Sequence, residues 1–287
     1  MARHDANRRR SFPVGAYSNG SAVVVLQPKY DKIGKRFWND APSRSRLWCI
    51  NNLDFQKKHT PMAKAALYEF RDAAEITDWL SKKKSEISKW FDQREQSLDE
   101  IIQKSVEGNT FRAFHHLPHK PSVVFREWAS QECKNGNALK ELEGIHSQMD
   151  FDAWSKEFSD RLGRAWKDQM EQSMPYGSLR KLPNLLVKRL MRWSGMNDDR
   201  RTEVLSYVHV PLDSYTLVGI RNCIDDPEIP ITATMTFVTG LMMYNQIQSA
   251  IRNITDRAGL PAIYFDVLAW DLHFLRSLYP RLAMAAD

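Results

Sequence analysis

The 287-residue sequence predicts a mostly α-helical protein with a smaller, strand-containing N-terminal appendage. Three observations lead there. From Val123 onward nearly every stretch places apolar residues at three- and four-residue intervals, the period of a helix with one buried face. Only one run, Ala22-Val-Val-Val-Leu-Gln27, has the β-branched character of a strand. Pro118 and Pro121 interrupt the helical pattern over 115–122, which places a domain boundary near residue 120.

In chain order, residues 1–20 read as a flexible basic arm, with Arg8, Arg9 and Arg10 followed by Pro13, Gly15 and Gly20. Residues 21–120 form the appendage: the strand, a loop around 39–45, and helices over 63–79 and 81–106. Residues 121–287 form the helical domain, with helices expected over 124–132, 138–149, 152–174, 183–195, 213–223, 232–259 and 261–278. Pro183 suits a first helical turn, where its missing N–H costs nothing, and Gly195 suits the other end.

Composition narrows the function classes. A hydrophobic share of 43% with 26% charged residues is ordinary for a soluble globular chain. The formal charge of +6 and pI near 9.1 favour an acidic partner such as nucleic acid. The excess is concentrated: between residues 173 and 201 lie seven basic residues (Arg180, Lys181, Lys188, Arg189, Arg192, Arg200, Arg201) against two acids, Asp198 and Asp199. Cys49, Cys133 and Cys223 stand far apart, which argues against a disulfide framework or zinc ribbon and suits the cytoplasm. The basic N-terminus is followed by no apolar run, so no secretory signal is expected. The run 231–244 is too short and too rich in threonine to span a bilayer, so no membrane partner is expected. His115, His116, His119 and His146 lie without a companion carboxylate, so no metal is expected; with no glycine-rich phosphate loop either, no cofactor is expected. Nine tryptophans leave one or two for stacking on a ligand.

The segment around Lys181 and Asp213 carries the chemistry. On a helical wheel Leu182, Leu186, Val187, Leu190 and Trp193 share one arc, while Lys188 and Arg192 occupy another with Lys181 beside them. The plain reading is a solvated basic edge. The sharper one aims Arg180, Arg189, Arg192, Arg200 and Arg201 at a phosphate backbone. Placed just before a helix start, Lys181 would feel the positive end of the macrodipole, which favours the neutral amine that a nucleophile requires. Downstream, His209-Val-Pro-Leu-Asp213 is a short extended segment that ends on a helix N-cap aspartate. On the last helix Asp266 and Trp270 stand one turn apart and share a face.

Val210-Pro-Leu-Asp-Ser-Tyr-Thr-Leu217 resembles the extended segment and helix that carry the catalytic aspartate of the helix-hairpin-helix DNA glycosylase superfamily. Lys181-Leu-Pro-Asn-Leu-Leu-Val-Lys188 is similar to the lysine-bearing helix of its archaeal 8-oxoguanine glycosylase branch, with Lys181 preceding Asp213 by 32 positions. Ile263-Tyr-Phe-Asp-Val-Leu-Ala-Trp270 resembles that branch's C-terminal helix, where an aspartate and a tryptophan face the extruded base. Two departures stand out. The glycine-rich hairpin before the lysine is replaced by Met174-Pro-Tyr-Gly-Ser-Leu-Arg180, and the aromatic position four after the lysine is Leu185.

The resemblance implies a helix-hairpin-helix glycosylase-like bundle and a DNA glycosylase working as a monomer on double-stranded DNA with one base extruded. Asp213 would stabilise the sugar cation, Lys181 or Lys188 would form a Schiff base, and Asp266 and Trp270 would hold the base. The substrate would be an oxidised purine, in repair, or a hypermodified phage base, in defence. Two other readings stay open: a nucleoside or RNA glycosidase of the same superfold, like the queuosine-salvage hydrolases, and a helical DNA-binding protein without catalysis.

Overall fold

The computed structural model describes residues 67–278 except 107 and 115, with backbone alone at 108–109 and 271–278. The arm at 1–20 and the strand at 22–27 lie outside the described residues. Within them the chain is helical and contains no strand, and no helix is long and apolar enough to cross a membrane.

Helix α1 (Ala73–Asp92) opens on Asp72, whose side chain accepts from the Glu75 amide at 2.8 Å, and buries Ile76, Leu80, Ile87 and Phe91. The single helix expected over 81–106 is two. The chain leaves helical geometry at Gln93, and α2 (Leu98–Ser105) restarts at Ser97, which caps the Glu100 amide. The break has a cause: Glu95 forms a parallel bridge with Trp193, its amide donating to Arg192 O at 2.7 Å and its carbonyl accepting from Ser194 at 3.0 Å. Helix α3 (Pro121–Ser130) widens into a π turn over Gln131–Asn135; α4 (Ala138–Glu143) and α5 (Gln148–Met170) follow. Three of the nine tryptophans pack here. Trp128 and Trp154 each pack on Phe158 with ring centroids 4.8 Å apart, and Trp166, fully buried, packs edge-on against Phe114.

Helix α6 (Tyr176–Leu190) corrects the expected start at Pro183. It begins seven residues earlier, so Pro183 is an interior residue that cannot donate to the Leu179 carbonyl. Burial of Gly177, Ser178, Leu182, Leu186, Val187 and Leu190 outweighs that local cost of about 3 kcal/mol. Helix α7 (Asp198–Tyr207), absent from the sequence-based expectation, is opened by Asn197, which accepts from the Asp199 and Arg200 amides. Helix α8 (Ser214–Ile220) starts on Asp213 as expected. The helix expected over 232–259 is shortened to α9 (Leu241–Arg257), because the threonine-rich stretch before it forms only a 3₁₀ turn at Met235–Phe237. The last helix is α10 (Ile263–Leu278).

The described residues on both sides of residue 120 belong to one compact unit, in which α1 packs on α9 and α10, α2 packs on α6, and α10 covers α8. Helix α6 lies between α5 and α2 and touches the Met235–Phe237 turn. Gly177 makes that last contact possible, since a Cβ there would sit 1.7 Å from the carbonyl oxygen of Met235. Gly177→Ala is therefore expected to cost about 1–3 kcal/mol in urea unfolding; an unchanged midpoint would mean the turn yields freely.

Candidate functional site

Three elements converge on one seam: α6 with Lys181 and Lys188, the N-terminus of α8 with Asp213, and α10 with Asp266. The lysines are seven residues apart, two helical turns, so both face the seam. Asp213 closes a capping box. Its Oδ1 accepts from the Tyr215 amide at 2.9 Å and the Thr216 amide at 3.2 Å, and Thr216 Oγ1 accepts from the Asp213 amide at 2.8 Å. This leaves Oδ2 for Lys181, whose Nζ lies 3.3 Å away. Both side chains are largely shielded, 12% and 7% exposed.

The second pair, Lys188 with Asp266, is deeper. Asp266 Oδ2 accepts from the Lys188 ammonium, while Oδ1 is buried with no hydrogen-bond partner among the described residues. Burial raises the Asp266 pKa above its ordinary 3.8; Lys188 opposes that rise, and Asp213 lies close enough to add to it. The Lys188 ammonium also sits 4.8 Å from the centre of the Trp90 ring, a cation–π contact from α1.

Trp270 is 44% exposed, and one side of its ring meets Tyr215 with centroids 4.0 Å apart and planes tilted by 35°. The structure thus brings together Lys181, Lys188, Asp213, Asp266 and Trp270, and adds two aromatics that sequence reasoning missed. Tyr215 was signalled by its place two residues after Asp213. Trp90 lay in a different helix, and nothing local marked it.

Two expectations change. Lys181 is the sixth residue of α6, not the residue before a helix start, so the first-turn dipole effect does not apply to it. The five arginines are engaged within the fold and do not form a free phosphate-facing edge. Arg180 is buried, donates to Ser155 O at 3.1 Å and lies over Tyr244. Arg189 and Arg192 pair with Glu95 at 2.9 and 3.3 Å. Arg200 binds the Glu143 and Ile145 carbonyls and Glu203, and Arg201 lies by Asp92 and Asp198. Their positive charge has carboxylate and carbonyl partners that a charge count along the chain does not reveal.

A second polar group lies behind the seam. His209 Nε2 is 2.8 Å from Asp152 Oδ1, and its Nδ1 is 3.0 Å from the Tyr244 hydroxyl, which is 2.8 Å from Asn184 Nδ2. Burial lowers the His209 pKa below 6.5, although Asp152 pulls the other way. For Asp152 burial alone would raise the pKa, but hydrogen bonds from His209 and Gln148 hold it below 3.8. Asp152 is therefore an ionised acceptor, Nε2 carries the proton, and Nδ1 accepts from Tyr244.

Among the described residues no three His, Cys, Asp or Glu side chains are grouped to hold a metal ion. Compared with protein-family models, curated proteins and solved structures, the chain gives no match.

The lowered His209 pKa fixes the sign of a pH effect. Below pH 6.5 the unfolded chain takes up the proton that the folded chain resists, so stability falls as pH drops through that value. Denaturant melts between pH 7.5 and 5.5 should give a loss that is smaller in His209→Gln than in the wild type; equal slopes would assign the loss to other groups.

Proposed function

We propose that this chain is a glycosylase that breaks the bond between a base and its deoxyribose in an extruded nucleotide of double-stranded DNA. The observation that carries the reading is the shielded pair of Lys181 Nζ and Asp213 Oδ2, 3.3 Å apart, beside the unsatisfied Asp266 oxygen and the half-exposed Trp270.

Asp213, held by two backbone amides, is a fixed negative charge where positive charge grows on the sugar as the base departs. The adjacent amine attacks C1′ once its proton has passed to solvent or to the carboxylate. The new N–C1′ bond replaces the glycosidic bond, and the base leaves with the electron pair and takes up a proton. Opening of the sugar ring leaves an imine on the lysine. Loss of a C2′ proton then expels the 3′-phosphate, and hydrolysis without that step leaves an abasic site.

Between the two lysines the geometry favours Lys181 as nucleophile. Lys188 is held by a buried carboxylate and by the Trp90 ring, an arrangement that suits a fixed positive charge. Asp266 Oδ1 suits an N–H of the base, since a buried acceptor without a partner costs free energy until a donor arrives. Trp270, backed by Tyr215, offers a face for stacking. The internal use of the five arginines favours a second reading, in which the same pair acts on an RNA nucleotide or a free nucleoside that needs no long phosphate track.

Borohydride trapping on an abasic duplex tests the reading. Lys181→Ala should abolish the covalent adduct, Lys188→Ala should weaken it, and Asp213→Asn should slow it by about 100- to 1,000-fold. An adduct that survives Lys181→Ala overturns the nucleophile assignment, and base release from single-stranded RNA or nucleoside but not duplex selects the second reading. Trp270→Ala should lower kcat/KM for base release by about 10- to 100-fold, the value of one stacked base, with little change in the denaturation midpoint. A stable variant with unchanged kcat/KM would remove Trp270 from the site.

A further inference from the structure

We propose that His209 is a positioning residue for Asp213, acting through a hydrogen-bonded chain that ties the strap before α8 to the helix bearing Lys181. This rests on the reading of Lys181 and Asp213 given above.

Residues 208–212 form an extended, buried strap with no neighbouring strand among the described residues. Buried backbone groups require partners, and here side chains supply them. The Gln248 amide takes the place of a strand neighbour: Val210 N–H donates to its Oε1 at 3.0 Å, and its Nε2 donates to Val210 O at 2.7 Å. The Pro211 carbonyl accepts from Thr216 Oγ1 at 3.1 Å. His209 fixes the strap from both ring nitrogens at once. On one side Nε2–H donates to Asp152 of α5, which Gln148 also holds at 2.7 Å. On the other, Nδ1 accepts from Tyr244 of α9, and Tyr244 accepts from Asn184 of α6.

Asn184 stands three residues after Lys181, and Asp213 four after His209. One network therefore sets the distance between the amine and the carboxylate from behind, without touching either. His209 spends both ring nitrogens and Tyr244 its hydroxyl inside this network, so neither offers a polar atom to a substrate. A carboxylate misplaced by about 1 Å can cost a factor of 100 in rate, which makes such a brace consequential.

The test compares Tyr244→Phe, Asp152→Ala, His209→Leu and His209→Gln, with two readouts. The first is amide hydrogen exchange at Tyr215 and Thr216, whose N–H groups bind Asp213. The second is the single-turnover rate of borohydride trapping on an abasic duplex at saturating protein. Tyr244→Phe and Asp152→Ala should each raise exchange at those two amides and slow trapping by about 10-fold, with duplex affinity within about twofold of wild type. In an Asp213→Asn background neither should slow trapping further, because both act through Asp213. His209→Gln, which keeps an N–H for Asp152, should recover most of the rate that His209→Leu loses. Unchanged exchange at Tyr215 and Thr216, or losses that add fully to that of Asp213→Asn, overturns the proposal. If the wild type forms no adduct at all, the lysine reading fails, and the exchange readout still decides whether the network holds Asp213.

Discussion

Four charges share one buried seam, and each is tolerable there because of the next. Lys181 balances Asp213, Lys188 balances Asp266, and the two carboxylates lie close enough to act on one another. Taking any one away leaves its partner shielded from water without compensation, a situation worth several kcal/mol. The seam is assembled from three separate elements: α6 supplies the cations, and α8 and α10 one anion each.

Around the seam the fold is braced by cations used as structural ties. Glu95, almost buried, takes Arg189, Arg192 and Lys104 while its backbone pairs with Trp193. Arg94 reaches the Trp193 and Met196 carbonyls and Asp198. The loop between α1 and α2 is thus fastened to the end of α6. The same end carries Lys188 over Trp90, so the fastening also sets the back wall of the candidate site.

How much of this was legible in the sequence follows from the range of each interaction. Asp213 was readable as a cap because a capping box spans four residues. The helices with a regular apolar face were readable for the same reason, as at α5 and α10. Ser97 and Asn197, caps of equal quality, were overlooked because the periodic stretches beside them drew the helix boundaries elsewhere. Pro183 misled because a local preference was outweighed by burial along fifteen residues of α6. Arg189 and Arg192 misled because their partner is remote: Glu95 stands 94 positions before Arg189 and pairs with it only once α6 meets the α1–α2 loop. His209 was in view, inside the quoted segment, yet its three-helix network joins residues 35 and 57 positions away.

The inward turn of the arginines has a consequence for solution behaviour. A guanidinium already neutralised by a carboxylate displaces few counterions when it nears a polyanion, so it contributes little to the steep loss of affinity that added salt produces in most nucleic-acid binders. On the proposed function, binding would rest on shape, stacking and a few placed donors, and would persist at ionic strengths that strip away proteins relying on a charged surface.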